Sequence, residues 1–80
     1  MEVVWTRRAL RRLDQCAAYL AIWSPPAAHE MEQRVRRHGS DLAANPLMGR
    51  EGRYIGTREL VVDNGRYVVV YRVRGQTVQI

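Results

Sequence analysis

Lysine is absent from the 80 residues, cysteine occurs once, and no apolar run is long enough to span a bilayer. The lone Cys16 excludes an internal disulfide and predicts a reducing environment, the cytoplasm. The opening "MEVVWTRRAL" has basic residues with no apolar stretch behind them, so no secretory signal is expected. There is no internal repeat and no low-complexity tract. Cys16, His29 and His38 are scattered without ligand spacing, which predicts no metal and no cofactor. No Ser/His/Asp set stands in a recognisable context. Glu51 and Glu59 are the nearest approach to a catalytic carboxylate pair, and they read as partners for arginines.

Without lysine, every positive side chain other than histidine is arginine, and the net charge is +5. The guanidinium is a planar fork that matches carboxylates and phosphates. A GC-rich coding sequence would give the same bias, so the composition alone leaves the reason open. Either way the fitting partners are anionic: nucleic acid or an acidic protein segment. A hydrophobic fraction of 46% with 26% charged residues is globular. Eighty residues make a single domain, 1–80. A core of this size supplies only about 3–5 kcal/mol, so support from a partner is expected.

Glu2–Trp5 is β-branched and aromatic enough for one strand. Thr6 is positioned to cap a helix over Arg7–Trp23, whose apolar residues Leu10, Leu13, Ala17 and Leu20 recur in steps of three and four. Cys16, beside Ala17 and Ala18, is expected as a small buried residue. Ser24 and Pro25 start a second helix, with Met31, Val35 and Leu42 on one stripe. Gly39 reads as a weak point in it, and "ANP" at Ala44–Pro46 ends it. "PLMGREGRYIG" has no period and reads as a loop. Three strands follow: Thr57–Val62, Tyr67–Val73, and one beginning at Thr77. Asp63-Asn64-Gly65 supplies the hairpin turn and Arg74–Gln76 a second turn. Tyr67–Val73 is apolar on both faces, as a central strand covered on two sides would be. The fold class is therefore α+β in the order β-α-α-β-β-β, a helical hairpin on one face of a small, mainly antiparallel sheet that the first strand joins.

Phosphate binding is the chemistry with most support among the residues themselves. Arg50, Arg53, Arg58 and Arg72 fall on a loop and adjacent strands and are candidates to converge on one sheet face, with Tyr54 and Tyr71 stacking beside them. The alternative is a solvated rim of weak ion pairs.

The stretches "RALRRLDQCAAYLA", "SPPAAHEMEQRV", "LAANPLMGREGRY" and "GTRELVVDNGRYVVVYRVRGQTVQI" together resemble the RelE/ParE superfamily of type II toxin–antitoxin toxins, on the ParE (plasmid-stabilisation) side. The resemblance covers essentially the whole chain. It implies a toxin whose cognate antitoxin wraps it with a C-terminal tail across the helical hairpin and the sheet. It also implies one of two targets. RelE-like members cut ribosome-bound mRNA, and ParE-like members inhibit DNA gyrase without being nucleases. In the RelE-like branch the strand after the hairpin carries tyrosine followed by a catalytic arginine; here Tyr67 is followed by Val68, which cannot stabilise a charged transition state. The expectation is a gyrase inhibitor and not an enzyme. The alternatives are a RelE-like endonuclease or a shortened, inactive toxin that only binds antitoxin, since family members continue past the last strand. Arg58 and Arg72, then Arg50 and Arg53, are expected to contact the target or an anion. Leu13, Ala17, Leu20, Met31 and Val35 are expected to meet the antitoxin where the core leaves them free. Direct nucleic-acid binding stays open, and no membrane role is expected.

Overall fold

The computed structural model describes residues 1–80. Strand β1 (Glu2–Val4) leads into helices α1 (Arg7–Ala21) and α2 (Pro25–Asp41). Strands β2 (Arg50–Glu51), β3 (Arg58–Val62), β4 (Tyr67–Arg74) and β5 (Thr77–Gln79) follow. They form one five-stranded sheet in the order β1-β5-β4-β3-β2. The pairing is antiparallel except between β1 and β5, which run parallel with Val3 opposite Val78. A parallel pair needs a crossover. Here the crossover contains both helices and the β2–β4 meander, so the first and last strands close the fold together.

Both helix starts are capped as their sequences predict. The Thr6 hydroxyl accepts from the Ala9 amide at 3.1 Å, and the Ser24 hydroxyl from Ala27 at 3.3 Å. Helix α1 ends at Ala21, two residues before Trp23. Ser24 must be extended to cap α2 (φ −158°, ψ 100°), so Ile22 and Trp23 form the connecting turn instead of helix. No helix is long and apolar enough to cross a membrane.

The core lies between the helices and one sheet face. Leu13, Met31, Val35 and Leu42 meet Leu60, Val62, Val69, Tyr71, Val78 and Ile80, with Val3 and Trp5 half-buried against them. Gly39 is the packing point of this layer. A Cβ there would stand 2.5 Å from Trp5 Cζ2 and 3.2 Å from Ile80 Cδ1. The helix accepts a poor helix former because the indole occupies the space a side chain would need.

The segment read as a plain loop contains β2. Arg50 lies opposite Glu59 and Glu51 opposite Arg58, giving a two-residue strand too short to show a period in the sequence. At the hairpin, positive φ extends over Asp63 (54°), Asn64 (56°) and Gly65 (86°). The Asp63 carboxylate lies 3.3 Å from Arg34 Nε, which ties the turn to α2.

Candidate functional site

Alternation along β4 sends Val69 and Tyr71 into the core and Val68, Val70, Arg72 and Arg74 outward. Val61 of β3 lies directly opposite Val68, and Glu59 opposite Val70. Val61, Val68 and Val70 are 43%, 45% and 47% exposed. The second face of the central strand is thus apolar, as its sequence says, yet nothing in the chain covers it.

An open groove of about 780 Å³ runs between α1 and β4. Ala9, Leu13, Val35, Tyr67 and Val69 contribute apolar lining. Arg8 and Arg12 line it from α1, and Arg66 and Arg72 from the sheet side. Cys16 also lines the groove and is exposed, not buried as its alanine neighbours imply. It sits about 60° around the helix from Leu13, at the edge of the buried stripe.

The four arginines singled out in the sequence do not converge. Arg50 pairs with Glu59, its Nε and Nη2 donating to Oε1 at 3.3 and 3.1 Å. The Arg53 backbone amide donates to the other oxygen of Glu59 at 3.1 Å, while its side chain lines a shallow hollow. Arg58 lies on the face of Leu60 and Val62, and its Nη1 donates to the Gly49 carbonyl at 2.8 Å. Arg72 points outward into the groove. Convergence fails because Arg58 and Arg72 have opposite parity relative to the paired positions Arg58 and Tyr71. Tyr71 cannot stack on a ligand either, being 2% exposed in the core; Tyr54 is exposed.

Glu59 is the one carboxylate on the outer face of β3 and β4. The Arg53 amide first, and the Arg50 guanidinium second, hold its carboxyl below the usual glutamate range. It stays ionised near neutrality and has little basicity to offer. Both histidines lie on α2, away from this face. Arg66 and Arg72 are six residues apart, about 20 Å along an extended chain, too far to clamp one phosphate between them.

The helical positions divide. Leu13, Met31 and Val35 are consumed by the core, although Leu13 and Val35 also reach the groove floor. Ala17 and Leu20 are half-buried against the core and do not line the groove. Sequence reasoning missed Arg8, Arg12 and Arg66. The four-residue steps from Arg8 to Arg12 to Cys16 mark one row of α1 and were the available signal.

Residues 3–80 match the family described as the ParE toxin of the type II toxin–antitoxin system parDE. The Sinorhizobium fredii protein Y4kP, which carries the name of a toxin, is 44% identical over 69 residues, 86% of this chain and 72% of its own. A chain of the solved chromosomal ParDE toxin–antitoxin system from P. aeruginosa is 28% identical, with a TM-score of 0.89 over 100% of this chain and 89% of that one. The agreement covers both helices and every strand, so the chain belongs to the ParE toxin family of type II toxin–antitoxin systems.

Proposed function

We propose that this protein is a cytoplasmic toxin that inhibits DNA gyrase by protein–protein contact, and that a cognate antitoxin neutralises it by laying an acidic, amphipathic segment into the groove between α1 and β4. The observation that carries the non-enzymatic reading is the outer face of β3 and β4. Val61, Val68 and Val70 occupy it, its only carboxylate is bound to arginine, and its arginines stand apart. Ribonucleolysis through the 2′-hydroxyl needs a base, an acid and a positive group at one phosphate. Only isolated positive groups are present there. The groove supports the antitoxin reading: apolar lining takes the apolar side of a segment, and Arg8, Arg12, Arg66 and Arg72 meet its acids.

Purified protein in a gyrase supercoiling assay, beside a translation-dependent mRNA cleavage assay, tests the proposal. Loss of supercoiling with intact message is expected. Codon-specific message cleavage overturns the reading, and silence in both assays leaves only antitoxin binding as its function. The antitoxin half is tested by co-purification with the short protein of the adjoining reading frame, expected to carry a DNA-binding N-terminus and an amphipathic tail.

A further inference from the structure

The segment from Leu47 to Thr57 is short of regular structure but heavily braced. The Tyr71 hydroxyl donates to the Pro46 carbonyl at 2.8 Å and accepts from the Gly49 amide at 2.9 Å. The Gly52 amide donates to the Thr57 carbonyl at 2.8 Å. The Tyr54 carbonyl accepts twice from Thr57, from its hydroxyl at 2.6 Å and its amide at 3.1 Å. That bond closes a turn over residues 54–57 with Gly56 at φ +82°, the position where a type II turn requires glycine. A Cβ at Gly52 would collide with the Thr57 hydroxyl, so the two ends of the loop are held in contact.

What this frame presents is apolar. Ile55, at the turn's first corner, is 105% exposed, and Tyr54 is 70% exposed. Leu47 is exposed beside them, and together with Arg53 and Arg58 they line a hollow of about 450 Å³ that shares only Tyr54 and Thr57 with the α1/β4 groove. Ile55 contributes nothing to the isolated fold, and an exposed apolar cluster on a rigid support is the usual form of a binding anchor. Of the loop's charges, Arg50 and Glu59 satisfy each other and Glu51 faces the hollow, leaving the guanidiniums of Arg53 and Arg58 as a net positive rim. Tyr54 alone offers a stacking face, and with the aliphatic Ile55 and Leu47 beside it the cluster suits an apolar protein surface better than a run of bases.

We propose that this loop is the surface that engages the toxin's protein target, inserting Ile55 into an apolar socket rimmed by carboxylates, while the α1/β4 groove serves the antitoxin. The inference rests on the reading of the protein as a toxin acting by protein contact. Because the loop is pre-braced, binding orders little of it, which favours affinity.

The test compares wild type with Ile55→Asp and Arg53→Gln in four assays: arrest of bacterial growth on induction, inhibition of purified gyrase, capture of the antitoxin from the adjoining reading frame, and binding of a single-stranded oligonucleotide. Ile55→Asp should weaken arrest and gyrase inhibition by roughly thirtyfold or more, the scale of a binding hot spot, with unchanged thermal unfolding and antitoxin capture. Arg53→Gln should weaken them less. Full growth arrest by Ile55→Asp overturns the proposal, as does a parallel loss of antitoxin capture, which would assign the loop to that interface. Arrest that survives Ile55→Asp but falls with Arg53→Gln, together with lost binding of a single-stranded oligonucleotide, overturns it in favour of nucleic acid. A wild type that arrests growth without touching gyrase refutes the gyrase reading alone, because the loop is still read through growth. A wild type without effect on growth overturns both.

Discussion

Replacing Tyr71 with phenylalanine removes one oxygen and is expected to be among the most damaging conservative changes in the chain. The ring stays in the core, where the side chain is 2% exposed. The hydroxyl is the sole side-chain bridge from β4 to the residues just before β2: it accepts from the buried Gly49 amide at 2.9 Å and donates to the Pro46 carbonyl at 2.8 Å. No other residue reaches that amide, and a Cβ on Gly49 would itself lie 2.7 Å from the hydroxyl, so the backbone is pressed against it. Each bond contributes about 1 kcal/mol, and a buried donor left without a partner costs about 1–3 kcal/mol. The lost Pro46 bond and the orphaned Gly49 amide together give a loss of roughly 2–4 kcal/mol, half or more of what a domain of this size has. Thermal unfolding followed by circular dichroism should show a fall of roughly 10–30 °C, since about 1 kcal/mol moves a small domain by 4–8 °C. Tyr67→Phe is the control: that hydroxyl has no partner in the chain, and its removal should shift the midpoint by no more than about 0.5 kcal/mol. A Tyr71→Phe midpoint equal to that of Tyr67→Phe would refute the view that this hydroxyl holds the loop.

Gly39→Ala sets helix propensity against packing. The gain of about 1 kcal/mol is exceeded by an overpacking loss of about 1–3 kcal/mol, because the new methyl meets the Trp5 ring at 2.5 Å with Ile80 behind it. A lower unfolding midpoint is expected, and a raised one would show that the indole moves freely. Glu59→Gln tests the clamp on the loop. Because the folded carboxyl titrates below its ordinary range, its contribution is present above that range and is lost as pH falls through the lowered value. The stability gap between wild type and Glu59→Gln should therefore close on acidification, and a gap constant with pH would contradict the assignment. Reversing two groove charges together, Arg12→Glu with Arg72→Glu, should leave the unfolding midpoint unchanged or slightly raised, because Arg12 no longer repels Arg8, and should sharply weaken antitoxin capture; unaltered capture in a pull-down would move the antitoxin elsewhere.

Much of the fold is legible because it is written in local chemistry. Thr6 and Ser24 state the two helix starts, the stripe Met31, Val35, Leu42 states the buried side of α2, and Asp63-Asn64-Gly65 states the hairpin. What escapes a linear reading depends on residues far apart in sequence. Gly39 looks like a flaw until Trp5 is known to lie on it, and β2 exists only because Glu59 stands across from Arg50. The candidate site suffers most from this. Strand parity separates Arg58 from Arg72, and parity across a hairpin depends on the register, which the three positive-φ residues of the turn determine.

Arginine without lysine acquires a structural meaning only when the paired and unpaired copies are separated. Arg34 pairs with Asp63, Arg36 with Glu32, Arg50 with Glu59, and Arg58 with a backbone carbonyl. These contacts serve the fold, and that of Arg50, which donates through both Nε and Nη2, uses the guanidinium's fork. Arg7, Arg8, Arg11, Arg12, Arg37, Arg53, Arg66, Arg72 and Arg74 make no ion pair within the chain, and Arg8, Arg12, Arg66 and Arg72 are brought together along the same groove. Arg8 and Arg12, one turn apart on α1, repel each other and weaken the isolated chain, while Arg66 and Arg72 stand too far apart to add much. An acidic segment in the groove would turn that repulsion into attraction while covering Tyr67, Val68 and Val70. Repulsion of this kind is screened by salt. The free protein should therefore become more stable as ionic strength rises, whereas the antitoxin complex, held by attraction across the same residues, should weaken. Opposite salt dependences for the free chain and the complex are what the groove demands. A parallel response of the two in thermal unfolding would mean that these arginines do not meet the antitoxin.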